Sequence, residues 1–441
     1  MTAPAQPSAP QTEIPLTPTA DRLRALAPVL AVAIFLVGAA IRLMADFGFK
    51  ETGYDEALYR DYILMADKVG FTEFPNICEY YLIDQRKPEN QAKLPPTRFL
   101  YVFCGWVAKH IAFGDAPPVK LNQPGSADRD PAFVSLHRVS LIFSILTVGL
   151  CGLAAWRMIG PGVGVCVMAL VAASPLGIHM GKHALVDGFF AFWATLGLWL
   201  LWENLQRPNN VRWLVAFGAS LALMVMTKEN SFFVYIAMCG ILVLNRWARF
   251  GTVTRGLVFT GVFGPLFAVG VLVSLAGGIA PFVEIYKLLV TKAQNLDYAI
   301  ATGDGPWYRY LIELMVSDPI VLVLALTGLL TLPLKNKAFG YLIAFVAFSY
   351  LMMCNVKYAM NLRYTTIWML PLAALASAQI LHLAGYAGRF PRTIAAVAIA
   401  GICAFNLGQY KTFFVNNAIY EPVPLDTLRA IRILKEIPQP K

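Results

Sequence analysis

The run FLYVFCGWVAKHIAF, Phe99 to Phe113, decides how the rest of the chain is threaded. It is apolar but falls short of the ~20 residues that cross about 30 Å of hydrocarbon, and Lys109 and His110 sit near its end. Counting it as a membrane span reverses the side of every later loop. Laid in the interface instead, it leaves Arg157, Arg207, Arg212, Arg246, Arg249, Arg255, Lys335, Lys337, Arg389 and Arg392 on the side of Arg22 and Arg24. Among short outer turns only Lys182, Lys228, Lys357 and Arg363 oppose them. Basic residues collect on the cytoplasmic side of short loops, so the interfacial placement is preferred.

That placement predicts about eleven spans of sufficient length, near 25–44, 133–156, 162–180, 185–202, 211–226, 231–246, 256–276, 319–334, 338–354, 364–384 and 393–408. The N-terminus is then cytoplasmic and the C-terminus outside. Residues 1–24 are Pro/Ala/Thr-rich without a basic start and read as a disordered cytoplasmic tail. Residues 25–408 form the transmembrane domain, with long outer loops at 45–132 and 277–318, and 409–441 make a short outer tail.

Composition agrees with this class. Of 441 residues, 58% are hydrophobic and 14% charged, and the mean hydropathy is +0.59, where a soluble domain is about a quarter charged. The chain is therefore expected to be an all-α polytopic membrane protein. Its net charge of +10 is spread over short connections, as topology signals are, so nucleic acid is not expected as a partner. Cys78 and Cys104 lie outside the spans, where a disulfide and two free thiols are both open.

The stretch ETGYDEALYRDY, Glu51 to Tyr62, follows the first span. On a helix, Leu58, Tyr59, Tyr62, Met65, Ala66 and Val69 share one face with Asp55, while Glu56 looks to the wet side and pairs with Arg60. A carboxylate at the head of an apolar stripe is desolvated unless a partner or polar cleft receives it, although Asp also caps helices. Asp187 lies just inside a span whose outer end carries Lys182 and His183; an ion pair with Lys182 is its plain reading, a functional carboxylate the sharper one. Lys93 and Arg98 flank a Pro-Pro turn, Lys228 and Glu229 sit at another outer turn, and Arg363 precedes Tyr364 where an outer loop enters a span. Each cation alone is as readily a headgroup anchor. Together, acids and cations gather at one membrane surface. The histidines lack ligand spacing, His179 and His183 being separated by Gly181 and a helix end, so no metal is expected.

YDEALY, LPPTRFLY, HRVSLIFSILTVGL, HALVDGFFAF, TKEN and LRY occur in this order over roughly residues 25–385. Together they resemble the GT-C superfamily of polyprenyl-phosphate-sugar-dependent glycosyltransferases, in particular protein O-mannosyltransferases and the aminoarabinose transferases that modify lipid A. The Pro-Pro turn departs from mannosyltransferases in lacking a preceding His. The resemblance implies a GT-C-like fold with Asp55 as base, Glu56 as its companion and Arg138 holding the acidic pair. It further implies Asp187 as a positioning residue and Lys93 and Arg363 as donor-phosphate contacts. The candidate set is thus Asp55, Glu56 and Asp187 for catalysis, and Lys93, Arg98, Arg138, Lys182, Lys228, Arg363, Tyr59 and Tyr364 for substrate binding.

The expected reaction is inverting transfer of a hexose or pentose from a polyprenyl-phosphate donor to a lipid, glycan or protein acceptor. It would take place at the outer face of a bacterial inner membrane. No cofactor is expected, the lipid-linked sugar being substrate. The rival reading is a multi-span transporter or flippase, with helices broken at Pro175 and Pro265.

Overall fold

The computed structural model describes residues 18–46, 48, 51–121, 125–294, 296–332, 336–356, 360–386, 388 and 390–434. Residues 1–17 of the expected tail lie outside these, as do Lys335, Lys357 and Arg389 of the charge argument. The described chain is all-α, without a strand. Its helices are α1 (Pro18–Met44), α2 (Tyr54–Val69), α3 (Phe74–Arg86), α4 (Phe99–Phe113), α5 (Pro131–Met158), α6 (Pro161–Ala172), α7 (Pro175–Gly181), α8 (Val186–Gln206), α9 (Val211–Val225) and α10 (Ser231–Ala248). There follow α11 (Arg255–Leu275), α12 (Ile279–Ala293), α13 (Asp297–Thr302), α14 (Arg309–Ser317), α15 (Pro319–Thr331), α16 (Lys337–Cys354), α17 (Met369–Gly385), α18 (Pro391–Tyr410) and α19 (Leu425–Ala430).

Local chemistry starts the helices where the apolar runs begin. Asp130 caps α5 by accepting from the Phe133 amide at 2.9 Å, with Pro131 in the first turn. Ser174 does the same for α7 through Gly177 at 3.2 Å, and Thr254 for α11 through Leu257 at 3.1 Å. Among the described residues, 7 helices are long and apolar enough to span a membrane, or 8 if the α6/α7 pair, bent by 58°, is one span. The helices α4, α9 and α15 are apolar but shorter. Length and composition thus support fewer spans than the eleven expected.

The α6/α7 bend is held by a buried cation. Arg42 of α1, 1% exposed, donates to Ala172 O at 2.7 Å, Val171 O at 2.8 Å and Ser144 Oγ at 2.9 Å. It supplies the donors that the last carbonyls of α6 lack, and its charge faces the negative end of that helix. Ser144 Oγ in turn donates to Gly177 O at 3.0 Å, tying α7 to α5.

Contacts between distant loops define one end of the bundle. The α4 amide of Leu100 donates to Met226 O at 3.0 Å, beyond α9, and at the other end of α4 the Phe113 ring lies 5.1 Å from the Arg138 guanidinium. Both ends of α4 therefore stay near that end, so α4 lies across it. Its two polar side chains share one partner: Lys109 Nζ is 2.7 Å and His110 Nε2 3.6 Å from Asp67 of α2. At the opposite end Arg157 and Arg207 converge on Glu203 at 2.9 and 3.7 Å.

Two apolar clusters organise the interior. The larger joins α5, α6, α8, α10, α16 and α17. The second packs Tyr59, Tyr62 and Ala66 of α2, Phe74 and Cys78 of α3 and Tyr101 of α4 onto Leu136 and Phe189, fixing the first long loop to the bundle. The predicted α2 stripe is buried at Leu58, Tyr59, Tyr62 and Ala66, while Val69 is exposed. Cys78 and Cys104 are free thiols.

Candidate active site

The two neighbouring acids of α2 have opposite surroundings. Glu56, 2% exposed, accepts from the Gly53 amide at 2.7 Å and the Ala184 amide at 2.7 Å and faces His183 Nδ1 at 3.1 Å. Burial alone would raise its pKa; the His183 contact and the two amide bonds outweigh that and hold it below the usual carboxylate range. Glu56 is therefore neither on a wet face nor paired with Arg60. Arg60 instead meets Asp130 at 2.9 Å and Asp61 at 3.3 Å. The reason is tertiary: the turn after α7 presses on the face that an isolated amphipathic helix would leave in water.

Asp55 stands at the lip of this arrangement, with its side chain 25% exposed and 3.2 Å from Arg363 Nη1. Arg363 is held in turn by Asn361, whose Oδ1 accepts from its amide at 2.9 Å and its Nε at 3.4 Å. Asn361 itself opens a 3₁₀ turn, Leu362–Trp368, that leads into α17.

Asp187, in the first turn of α8, pairs with Lys228 across 2.6 Å, and both side chains are under 5% exposed (3% and 4%). The ion pair considered with Lys182 is absent; Lys182 Nζ reaches Leu43 O at 3.4 Å. Residue 228 prevails because the turn between α9 and α10 faces the N-terminus of α8, whereas Lys182 ends α7 on the side of α1. Lys228 Nζ also lies 4.4 Å from the Tyr364 ring centre, a cation–π contact. Arg98 completes the row: its guanidinium binds both carboxylate oxygens of Glu229 and the Tyr59 hydroxyl. Burial would raise the Glu229 pKa, but Arg98 more than offsets it and the carboxyl stays below its ordinary value.

One expectation from the resemblance is not met by the geometry. Arg138 does not hold the acidic pair; it is exposed and stacks on Phe113. One residue earlier on α5, a rotation of about 100°, His137 turns inward toward Lys182, Glu56 and His183. Lys93 pairs with Asp84 at 3.1 Å and lines a small recess with Asp61, Tyr62 and Tyr81.

Four contributors were not read from the sequence. His183 and Asn361 orient Glu56 and Arg363 as described. Tyr420 and Glu421 come from the segment after α18: Tyr420 O lies 2.8 Å from His179 Nε2, the Tyr420 ring 4.7 Å from that of His183, and Glu421 Oε2 accepts from Asn361 Nδ2 at 3.4 Å. No local motif marks them, since only the return of the chain brings them here. The result is a row of alternating charges, Asp55–Arg363, Asp187–Lys228 and Glu229–Arg98, at one end of the bundle and bordered by Tyr59 and Tyr364.

The family described as dolichyl-phosphate-mannose-protein mannosyltransferase matches residues 119–282, a part that contains Asp187 and Lys228 but not Asp55 or Arg363. By structure, the chain is similar to ArnT from Cupriavidus metallidurans bound to undecaprenyl phosphate, with 14% identity and a TM-score of 0.53 over 89% of this chain and 76% of that one. It is also similar to the oligosaccharyltransferase AglB from Archaeoglobus fulgidus in complex with an inhibitory peptide and a dolichol-phosphate, with 12% identity and a TM-score of 0.54. That likeness covers 88% of this chain and 56% of AglB. No curated protein matches the sequence. The resemblance to GT-C glycosyltransferases, read from the order of short motifs, is thus met by a partial family match and by a shared fold.

Proposed function

We propose that this chain is an inverting glycosyltransferase that moves a sugar from a polyprenyl-phosphate donor to an acceptor at the outer face of the membrane. The observation that carries the reading is the convergence of Asp55 and Asp187 with Arg363, Lys228 and Arg98 at a single end of the bundle. The shared fold with two proteins whose structures hold a polyprenyl phosphate supports the donor class.

Asp55 takes the acceptor proton. Of the three candidate acids it is the one with appreciable exposure, and its single long contact with Arg363 is the easiest to exchange. Glu56 is saturated by amides and His183, and Asp187 is sealed against Lys228, so both position their neighbours. The acceptor hydroxyl oxygen attacks the anomeric carbon as Asp55 removes its proton. The bond from that carbon to the phosphate oxygen breaks on the opposite face, which inverts the configuration. The leaving group departs as a lipid phosphate, already anionic, and needs cations more than an acid. Arg363, moving from Asp55 to the phosphate, both frees the base and holds the leaving group, with Lys228 and Arg98 adding to the field.

Membranes carrying Asp55→Asn, supplied with radiolabelled lipid-linked sugar, should lose about 10²–10⁴-fold in transfer; full transfer would remove Asp55 as base. A retained anomeric configuration in the product would overturn inversion. A Cys placed at Gly125 should react with an impermeant thiol reagent in intact cells, and protection until lysis would turn the site to the cytoplasm. The transporter reading asks for discontinuous helices in matching halves, and the described residues show one bent pair.

A further inference from the structure

After α18 the chain continues as a helical turn, Lys411–Asn416, and reverses over the site. The returning segment is anchored by Val423, Leu428, Ile433 and Leu434, all buried in the main apolar cluster. It is therefore a fixed part of the site. Gly53 marks how closely it approaches, because a Cβ at that position would lie 2.0 Å from the Tyr420 hydroxyl.

Within this segment Glu421 is joined to Arg363 through one amide. Asn361 donates from Nδ2 to Glu421 at 3.4 Å, and its Oδ1 accepts from Arg363 at 2.9 and 3.4 Å. The orientation of the Asn361 amide is thus set by a carboxylate on one side and a guanidinium on the other. Arg363 is also 3.2 Å from Asp55, so two carboxylates share its field.

Such sharing bears on what leaves the site. A polyprenyl-phosphate sugar is a phosphodiester with about one negative charge, whereas the lipid phosphate released from it is a monoester carrying about −1.5 to −2 at pH 7. Cations that stabilise the leaving group consequently bind the product more tightly than the donor, and turnover stalls unless something offsets them. We propose that Glu421 is a positioning residue that supplies this offset: acting through Asn361 on Arg363, it weakens the hold on the released lipid phosphate. The inference rests on the glycosyltransferase reading.

The test is Glu421→Gln in the full-length protein, with undecaprenyl phosphate as the product probe. The inhibition constant for undecaprenyl phosphate should fall about tenfold, as expected when one nearby unit charge is removed, while the donor KM falls less. Steady-state kcat should drop while the single-turnover rate is not slowed. Glu421→Asp should recover most of the wild-type inhibition constant. Gly53→Ala, which crowds Tyr420 and displaces the segment without removing a charge, should tighten product inhibition in the same direction. An unchanged inhibition constant in Glu421→Gln overturns the proposal, as does a loss confined to single-turnover rate. A wild-type protein that transfers no sugar from polyprenyl-phosphate donors overturns the reading beneath it instead.

Discussion

Replacing Lys228 by Met, Asp187 by Asn, and both together separates what this ion pair does for the fold from what it does for the reaction. The pair is 2.6 Å long, and its side chains are 3% and 4% exposed. Removing one partner leaves the other buried without compensation, which costs about 3–5 kcal/mol. That is two to three and a half orders of magnitude in the folded fraction, at about 1.4 kcal/mol per tenfold. Removing both replaces two costly desolvations with neutral groups, and such exchanges are often close to neutral overall. Thermal unfolding of the four purified proteins in one detergent, followed by fluorescence-detected size exclusion, should place each single variant well below wild type. The double variant should lie above either single. Transfer of labelled sugar should be lost in all three. A double variant whose loss equals the sum of the two singles would show that the charges do not compensate each other. Full transfer by the double variant would remove the pair from the site.

Arg42→Met should uncap the carbonyls of Val171 and Ala172 and lower both thermal stability and transfer, with Arg42→Lys restoring part of each; equal behaviour of Met and Arg at this position in a melting assay would refute its capping role. Glu56 has a depressed pKa in the folded state, so its contribution is complete above the unfolded carboxylate value of about 4.3 and is lost as pH falls through the lower folded value. Glu56→Gln should accordingly melt earlier than wild type at neutral pH, and the two curves should converge in acid. Gly264→Val should reduce the yield of folded protein, because a Cβ there would meet Gly218 O of α9 at 2.6 Å and backbone cannot retreat. Surviving molecules should keep the wild-type transfer rate, since this crossing lies away from the charged row.

The features legible in the sequence were those that depend on local order. Apolar runs placed the helices, and the stripe on α2 located Tyr59 and Tyr62 in the interior. Pairing was not legible. Whether Asp187 meets Lys182 or Lys228 depends on how the α9–α10 turn docks against α8. Whether Glu56 or Asp55 is buried depends on the turn after α7. The His137/Arg138 exchange shows the grain of the limit, for a resemblance that places a cation on the right turn still leaves 100° undecided. Tyr420 and Glu421 were invisible for another reason: nothing in their neighbourhood encodes the reversal of chain direction after α18.

The Asp55–Arg363 contact joins positions 308 residues apart. A ribosome that has delivered the first loop into the bilayer must still make most of the remaining helices before this acid finds its guanidinium. Until then the membrane holds a half-built cluster in which Asp187 and Glu229 can already meet Lys228 and Arg98 while Asp55 lacks its counter-ion. Insertion of the late helices is in this sense the switch that turns the protein on, and nascent chains arrested before residue 363 should be inert.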